Sequence, residues 1–364
     1  MLRKIGAILG KVLLVLLVTV LVLVGTLYLS LLKMKNGPSE AAGNLLISTL
    51  METGQLKFVA KLIATDEEIN EIVSGNAMEA MEADVDLSLI TVGGDDEDGE
   101  TTEEEIGEEE EFDENGIRLE EISGRNYYAK MLIIKDPAQV EVGSTYPWST
   151  YGQELGEIVE NAGAVAGVNG GLYESTGNQG GSPLGIVVQQ GEITYNSPSG
   201  YAGLYLIGLN NDNILIIKDI SGMSKSEFAS YAEEAGIRDA VAFQDESSDA
   251  SNHFVSLIIN GEARTLDGTG SGANPRTAIG QRADGAILLL VTDGRGTSGH
   301  LGATASDLIA IMQEYGAVNA ANLDGGSSSS MYYNGEYEMT SVTFYYANSS
   351  WRLPDAFVVM PKED

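Results

Sequence analysis

Four stretches of the chain end an apolar run on polar groups and glycine. They are AVAGVNGG, closing on Asn169, Gly170 and Gly171; NPRTAIG, with Arg276 and Thr277; LLLVTDGRG, closing on Asp293 and Arg295; and AANLDGGSS, closing on Asp324, Gly325, Gly326, Ser327 and Ser328. Taken singly, each reads as a turn, because Asp, Asn and Gly are common turn formers. Taken together they carry the parts of an anion-handling site. Arg276 and Arg295 can each hold a pair of phosphate or carboxylate oxygens. Asp293 and Asp324 can divide acid and base or nucleophile roles if their surroundings separate their pKa values. Glycines let backbone N–H groups approach an anion, and serine hydroxyls add donors.

A fifth stretch, GHLGATASDL, supplies His300 in a glycine-rich loop and Thr304 three residues before Asp307. Thr304 and Asp307 have capping-box spacing, and the helix start they mark would turn N–H groups and a favourable dipole toward an anion. A loop histidine has the pKa of a proton relay.

Other chemistries are excluded by composition. The chain has no cysteine, which removes disulfides, thiolate metal sites and a cysteine nucleophile, and only two histidines, His253 and His300. A net charge of −34 disfavours a grip on nucleic-acid backbones, so no nucleic-acid partner is expected.

The elements that must position these groups begin after the first third of the chain. Val12–Leu32 is a run of 21 uncharged residues behind Arg3, Lys4 and Lys11. That length spans a bilayer core of about 30 Å as a helix, and no small-x-small exit follows it. An uncleaved single-pass cell-membrane anchor over 1–35 is expected, with the bulk extracytoplasmic. Residues 36–92 carry apolar positions at helical spacing and a capping box at Thr65 and Glu68, which reads as a helical membrane-proximal stalk. Residues 93–116 form an acidic linker whose central 20 positions include 14 carboxylates, too polar to offset chain entropy and expected to be disordered. From 117 to 364, short apolar runs alternate with Gly, Asn and Asp, and SKSEFASYAEEAG and TASDLIAIMQEYGA read as helices. The expected fold is α+β: a mixed, largely antiparallel sheet core covered by helices.

In that order, NGG, PLGIVVQQGEI, NPRTAIG, VTDGR, GATASDLIAIMQEYGA and NLDGGSSSSMYYNG resemble the phosphodiester glycosidase family, whose bacterial members include proteins of exopolysaccharide biosynthesis. The resemblance covers roughly residues 125 to 361. It implies hydrolysis of a sugar-1-phosphodiester, releasing the sugar and leaving a phosphomonoester. It implies that Asn169, Arg276, Thr277, Asp293, Asp324, Gly325, Gly326 and Ser327 line the site, with Arg352 of RLPDAF bringing another cation. The expected partners are a phosphate-linked envelope glycan and, through the first helix, the membrane. Two other readings use the same residues: a non-catalytic glycan-binding or scaffolding protein, and a metal-assisted phosphodiesterase with Asp293, Asp307 and Asp324 as oxygen ligands for Ca²⁺ or Mg²⁺.

Overall fold

The computed structural model describes residues 2–53, 56–81, 83–93, 111–174, 176–245, 253–296, 299–340 and 349–362. The greater part of the acidic linker, 94–110, lies outside the described residues. The chain divides into two compact units, the first ending at Gly75 and the second running from Asn76 to Asp364.

The first unit is helical: α1 (Leu2–Lys35), α2 (Glu40–Glu52), α3 (Lys57–Ile63) and α4 (Asp66–Ser74). Residues Ile8–Lys35 of α1 are long and apolar enough to cross a membrane, with a mean hydropathy of 2.9. Thr65 caps α4 with Glu68 in a reciprocal box, and Glu68 also accepts from Lys35 Nζ at 2.6 Å.

The second unit contains β1 (Ile117–Ser123), β2 (Tyr128–Ile134), β3 (Val140–Ser144), α5 (Leu155–Ala162), β4 (Ala166–Asn169), β5 (Gly185–Gln189), β6 (Glu192–Ser197), β7 (Leu204–Asn210), β8 (Leu215–Asp219) and α6 (Lys225–Glu234). There follow β9 (Ile237–Gln244), β10 (Ser256–Ile259), β11 (Glu262–Ala263), β12 (Thr277–Arg282), β13 (Ile287–Thr292), α7 (Ala305–Glu314), β14 (Ala317–Asn322), β15 (Ser330–Tyr333), β16 (Glu336–Thr340) and β17 (Asp355–Val359). These strands form three sheets, in the orders β1-β2-β13-β12-β14-β10-β11, β16-β15-β4-β17-β3 and β6-β5-β9-β7-β8. The ladders among the described strands are antiparallel, where the sequence predicts a mixed and largely antiparallel core.

Each sheet turns one face to a shared core and the other to a helix. In β13, Ile287, Leu289 and Val291 face strands of all three sheets, while Leu288 and Leu290 pack with Leu308, Ile311 and Met312 of α7. Burial on both faces is why ILLLV has no polar alternation. α6 covers the third sheet through Phe228, and α5 covers the second through Leu155, Ile158 and Val159. Residues 76–92, placed with the stalk on sequence grounds, belong to the second unit: Met78 bridges to Leu266, Thr91 N–H donates to Ala283 O, and Ile90 joins the α6-side core.

Candidate active site

The antiparallel order β13-β12-β14 brings three of the sequence motifs to one sheet end. Thr277 opens β12 opposite Val291 of β13, and Ala278 pairs with Asn322 of β14. Asp293 and Asp324 therefore emerge on either side of Arg276, two strand spacings or about 10 Å apart. The second sheet meets this end through Asn169, the fully buried last residue of β4. Its Nδ2 donates to Asp324 O at 2.7 Å, and its Oδ1 accepts from Thr277 Oγ1 at 2.7 Å and from Ser330 N at 3.2 Å. Asn169 thus fixes the two sheets against each other and holds the Asp324 backbone still.

Asp324 occupies the centre. Its Oδ1 accepts from Gly325 N at 2.9 Å, and the Ser328 hydroxyl also bonds its carboxylate. Protein atoms crowd the side chain, although part of the residue stays open to solvent. Burial pushes the carboxyl up to about 6, with Ser328, Gly325 and the charge of Arg295 pulling the other way. Tyr173 reaches in from the loop after β4; its OH lies 2.9 Å from Ser328 Oγ, and burial together with the Asp324 charge raises its pKa.

A second carboxyl joins Asp324, and it is not the expected one. Asp355 opens β17, is 1% exposed, and accepts from Gly171 N at 2.8 Å through Oδ1. Its Oδ2 is buried without a partner. Burial pushes Asp355 up to about 7, and the Asp324 charge adds to the rise. Asp293, expected to be the partner of Asp324, is spent elsewhere: Oδ1 accepts from Tyr128 N at 2.8 Å, and Oδ2 lies 2.6 Å from His300 Nδ1. Asp293 therefore orients His300, and an Nδ1–H tautomer held this way leaves Nε2 as the basic nitrogen.

The two arginines differ. Arg276 is 8% exposed and sits 4.9 Å above the Phe254 ring. Its Nη2 donates to Gly272 O at 3.0 Å and Ser271 Oγ at 3.2 Å. Arg295, in the left-handed region at φ 54°, is exposed and donates from Nη1 to Ser327 Oγ at 2.8 Å. Desolvation by the surrounding protein lowers its pKa, the Arg276 charge lowers it further, and Asp324 raises it. Arg276 is thus the fixed interior cation, and Arg295 is the one that an incoming anion meets.

The glycines make space, and the N–H groups of Gly171 and Gly325 turn to the protein's own carboxyls and not to a bound anion. Gly325 N turns to the Asp324 carboxylate and Gly326 N to Pro275 O. A Cβ on Gly326, at φ 63°, would stand 2.6 Å from Arg295 Nη2, and one on Gly170 would stand 2.2 Å from Asp355 Oδ1. Without side chains at these positions, a guanidinium and a carboxyl can lie directly on the backbone.

The remaining expected residues sit at the margin. Thr304 caps α7, with Oγ1 2.6 Å from Asp307 Oδ2, so Asp307 is taken up by the cap. Arg352 donates from Nη1 to Gly152 O at 3.0 Å, bracing a neighbouring loop. The three carboxylates of the metal reading are thus engaged separately, and no group of three or more His, Cys, Asp or Glu is placed to hold an ion among the described residues. Asp355 lies inside RLPDAF, but it opens a strand, whereas Asn169, Asp293 and Asp324 lie at or just past strand ends. Only the antiparallel pairing of Ala356 with Asn169 brings that opening beside the end of β4.

Fold and site together define an α+β domain in which buried Asp355 and partly open Asp324 lie near two arginines. A family model described as phosphodiester glycosidase matches residues 162–360, more than half of the chain, and the chain belongs to that family. The Bacillus subtilis (strain 168) SPbeta prophage-derived protein YomE is 42% identical over 64 residues, 18% of this chain and 10% of that protein, so the match spans about a tenth of the relative's length. Among solved structures, the catalytic domain of zebrafish N-acetylglucosamine-1-phosphodiester alpha-N-acetylglucosaminidase, auto-inhibited by its pro-peptide, is similar at 19% identity and a TM-score of 0.49, covering 68% of this chain and 82% of that one. A protein from Synechocystis is similar at 19% identity and a TM-score of 0.39, covering 68% of this chain and 61% of that one. A putative exported protein from Burkholderia pseudomallei is similar at 16% identity and a TM-score of 0.41, covering 65% and 74%.

Proposed function

We propose that the second unit hydrolyses sugar-1-phosphodiester bonds with Asp324 and Asp355 as its carboxyl pair, and that α1 holds it at a membrane facing extracytoplasmic envelope or exopolysaccharide glycans. The observation that carries the catalytic reading is the pair itself: two carboxyls that burial pushes up to about 6 and about 7, the charge of Asp324 adding to the rise at Asp355, beside an exposed arginine. Burial disfavours ionising both, so near neutral pH the pair retains a proton.

In this reading Arg295 binds the phosphate, Arg276 adds positive potential from within, and Asn169, Thr277 and Ser328 hold the frame. The C1–O bond breaks, and its electron pair leaves with the bridging oxygen of the phosphomonoester. The protonated carboxyl assists that departure, and the ionised one stabilises positive charge developing at C1. Water supplies the new oxygen on C1, and its proton returns to the pair. His300, held by Asp293, serves as a relay to solvent.

The anchor reading is supported by the length and apolarity of α1. It is also supported by α3, which exposes Phe58 and Leu62 and lies with Leu62 beside Tyr28 and Leu32 of α1.

Turnover in ¹⁸O-water of a sugar-1-phosphate methyl diester tests the chemistry. Label is expected in the sugar and not in methyl phosphate; label in the phosphate would mean P–O cleavage and would end the glycosidase reading.

A further inference from the structure

The loop between β3 and α5 is unusual for this chain. Ser144–Gln153, STYPWSTYGQ, contains no charged residue in a protein with 54 acidic and 20 basic side chains, and it combines three large aromatics with hydroxyls. Its position is fixed by backbone pairing. Ser144 lies opposite Asp355, and Thr145 N–H donates to Pro354 O. The loop then rejoins the same segment, where Gln153 and Leu353 exchange N–H···O bonds in both directions. Residues 146–152 therefore leave and return on the three residues that lead into the carboxyl pair. The far side is tied down by the Tyr151–Gly180 bridge and by Gly152 N–H donating to Gln179 O at 2.7 Å.

Within the loop the rings are set at fixed angles. Trp148 donates from Nε1 to Thr194 O at 2.9 Å and packs partly into the shared core. It meets Tyr146 edge-on at 5.6 Å and Tyr195 at 6.3 Å between ring centroids. Burial accounts for Trp148 and Tyr195. It does not account for Tyr146, 50% exposed, or Tyr151, 61% exposed, which stand open on a braced loop. Rigid tyrosines offer a flat apolar face with a polar tip at little entropic cost, and hydroxyl neighbours add adaptable hydrogen bonds. The apolar C–H faces of pyranose rings match such a surface, whereas the phosphate is served by the arginines.

We propose that Tyr146 and Tyr151 form a saccharide-stacking platform that holds sugar rings of the glycan next to the carboxyl pair, giving the site a preference for oligosaccharide or polymer over a bare sugar phosphodiester. This rests on the phosphodiester glycosidase reading for its purpose, but not for its test. The full chain, in a detergent without a sugar headgroup, is titrated with cellohexaose and chitohexaose, which present flat rings and carry no phosphate. Binding is followed by tryptophan fluorescence and saturation-transfer NMR. At least one hexaose is expected to bind to the wild type, with affinity falling tenfold or more in Y146A/Y151A and staying within about threefold in Y146F/Y151F. Absence of binding by the wild type to either hexaose, unchanged binding in the alanine variant, or equal loss in both variants would overturn the platform. Sugar release from a phosphodiester, measured separately, reports on the hydrolase reading alone.

Discussion

At the scale of single residues, the site depends on two carboxyls that burial keeps from ionising at their ordinary pH. Asp324→Asn and Asp355→Asn are each expected to lower kcat by roughly a thousandfold or more, since in the proposed reaction each removes a group that exchanges or stabilises charge. Activity should rise with pH as the first of the pair ionises near 6 and fall as the second is lost near 7, and kcat/KM against pH tests this. Asp355 also leaves a mark on stability. Its folded pKa of about 7 stands above its ordinary 3.8, so its contribution is intact below about pH 4 and is lost as pH rises toward 7. Asp355→Asn keeps an acceptor for Gly171 N–H without the charge. Its melting temperature should therefore exceed that of the wild type at pH 8 by more than at pH 4, and a parallel pH course for both proteins would refute the burial argument. Arg295→Met should raise KM more than it lowers kcat, because Arg295 meets the anion at the surface.

At the scale of elements, the strand ends converge because the core on both sides of β13 leaves them no other place. Leu289 faces the shared core at 0% exposure, and Leu289→Ala should cost about 2–5 kcal/mol in denaturant unfolding. Gly170→Ala is a sharper probe: its methyl would meet Asp355 Oδ1, so activity should fall far more than stability. The helices and hairpins were legible in the sequence through local chemistry. Thr304 with Asp307 and Ser224 with Glu227 mark their helix starts with capping boxes, and both boxes are formed. The partner of Asp324 was not legible. Asp293 and Asp355 are both aspartates at strand boundaries, and only the pairing of β17 with β4 determines which of them reaches Asp324 and which turns to His300.

At the scale of the whole molecule, the division after Gly75 separates a helical unit carrying the membrane-length helix from the unit carrying the site. A chain beginning at Asn76 is expected to keep hydrolytic activity and to lose sedimentation with lipid vesicles. Net charge acts at this scale too. With −34 on the chain, a polyanionic glycan is repelled at long range, and raising ionic strength from about 10 to about 150 mM shortens the Debye length from about 30 to about 8 Å. Association with such a substrate should therefore speed up with salt, in contrast to enzymes that steer anions electrostatically.

The sequence alone determined the apolar first helix, the α+β character with largely antiparallel pairing, and the motifs that the strands bring together. Each of these is written in local composition, period or spacing, which a chain carries before it folds. Tertiary structure decided which carboxyl stands beside Asp324, that Arg295 and not Arg276 faces outward, and that Gly170 and Gly326 clear space while Gly171 and Gly325 turn their N–H groups to the protein's own carboxyls. Those outcomes depend on the register between strands far apart in the chain and on how much water folding removes from each group, and neither quantity exists until the sheets have closed on their shared core.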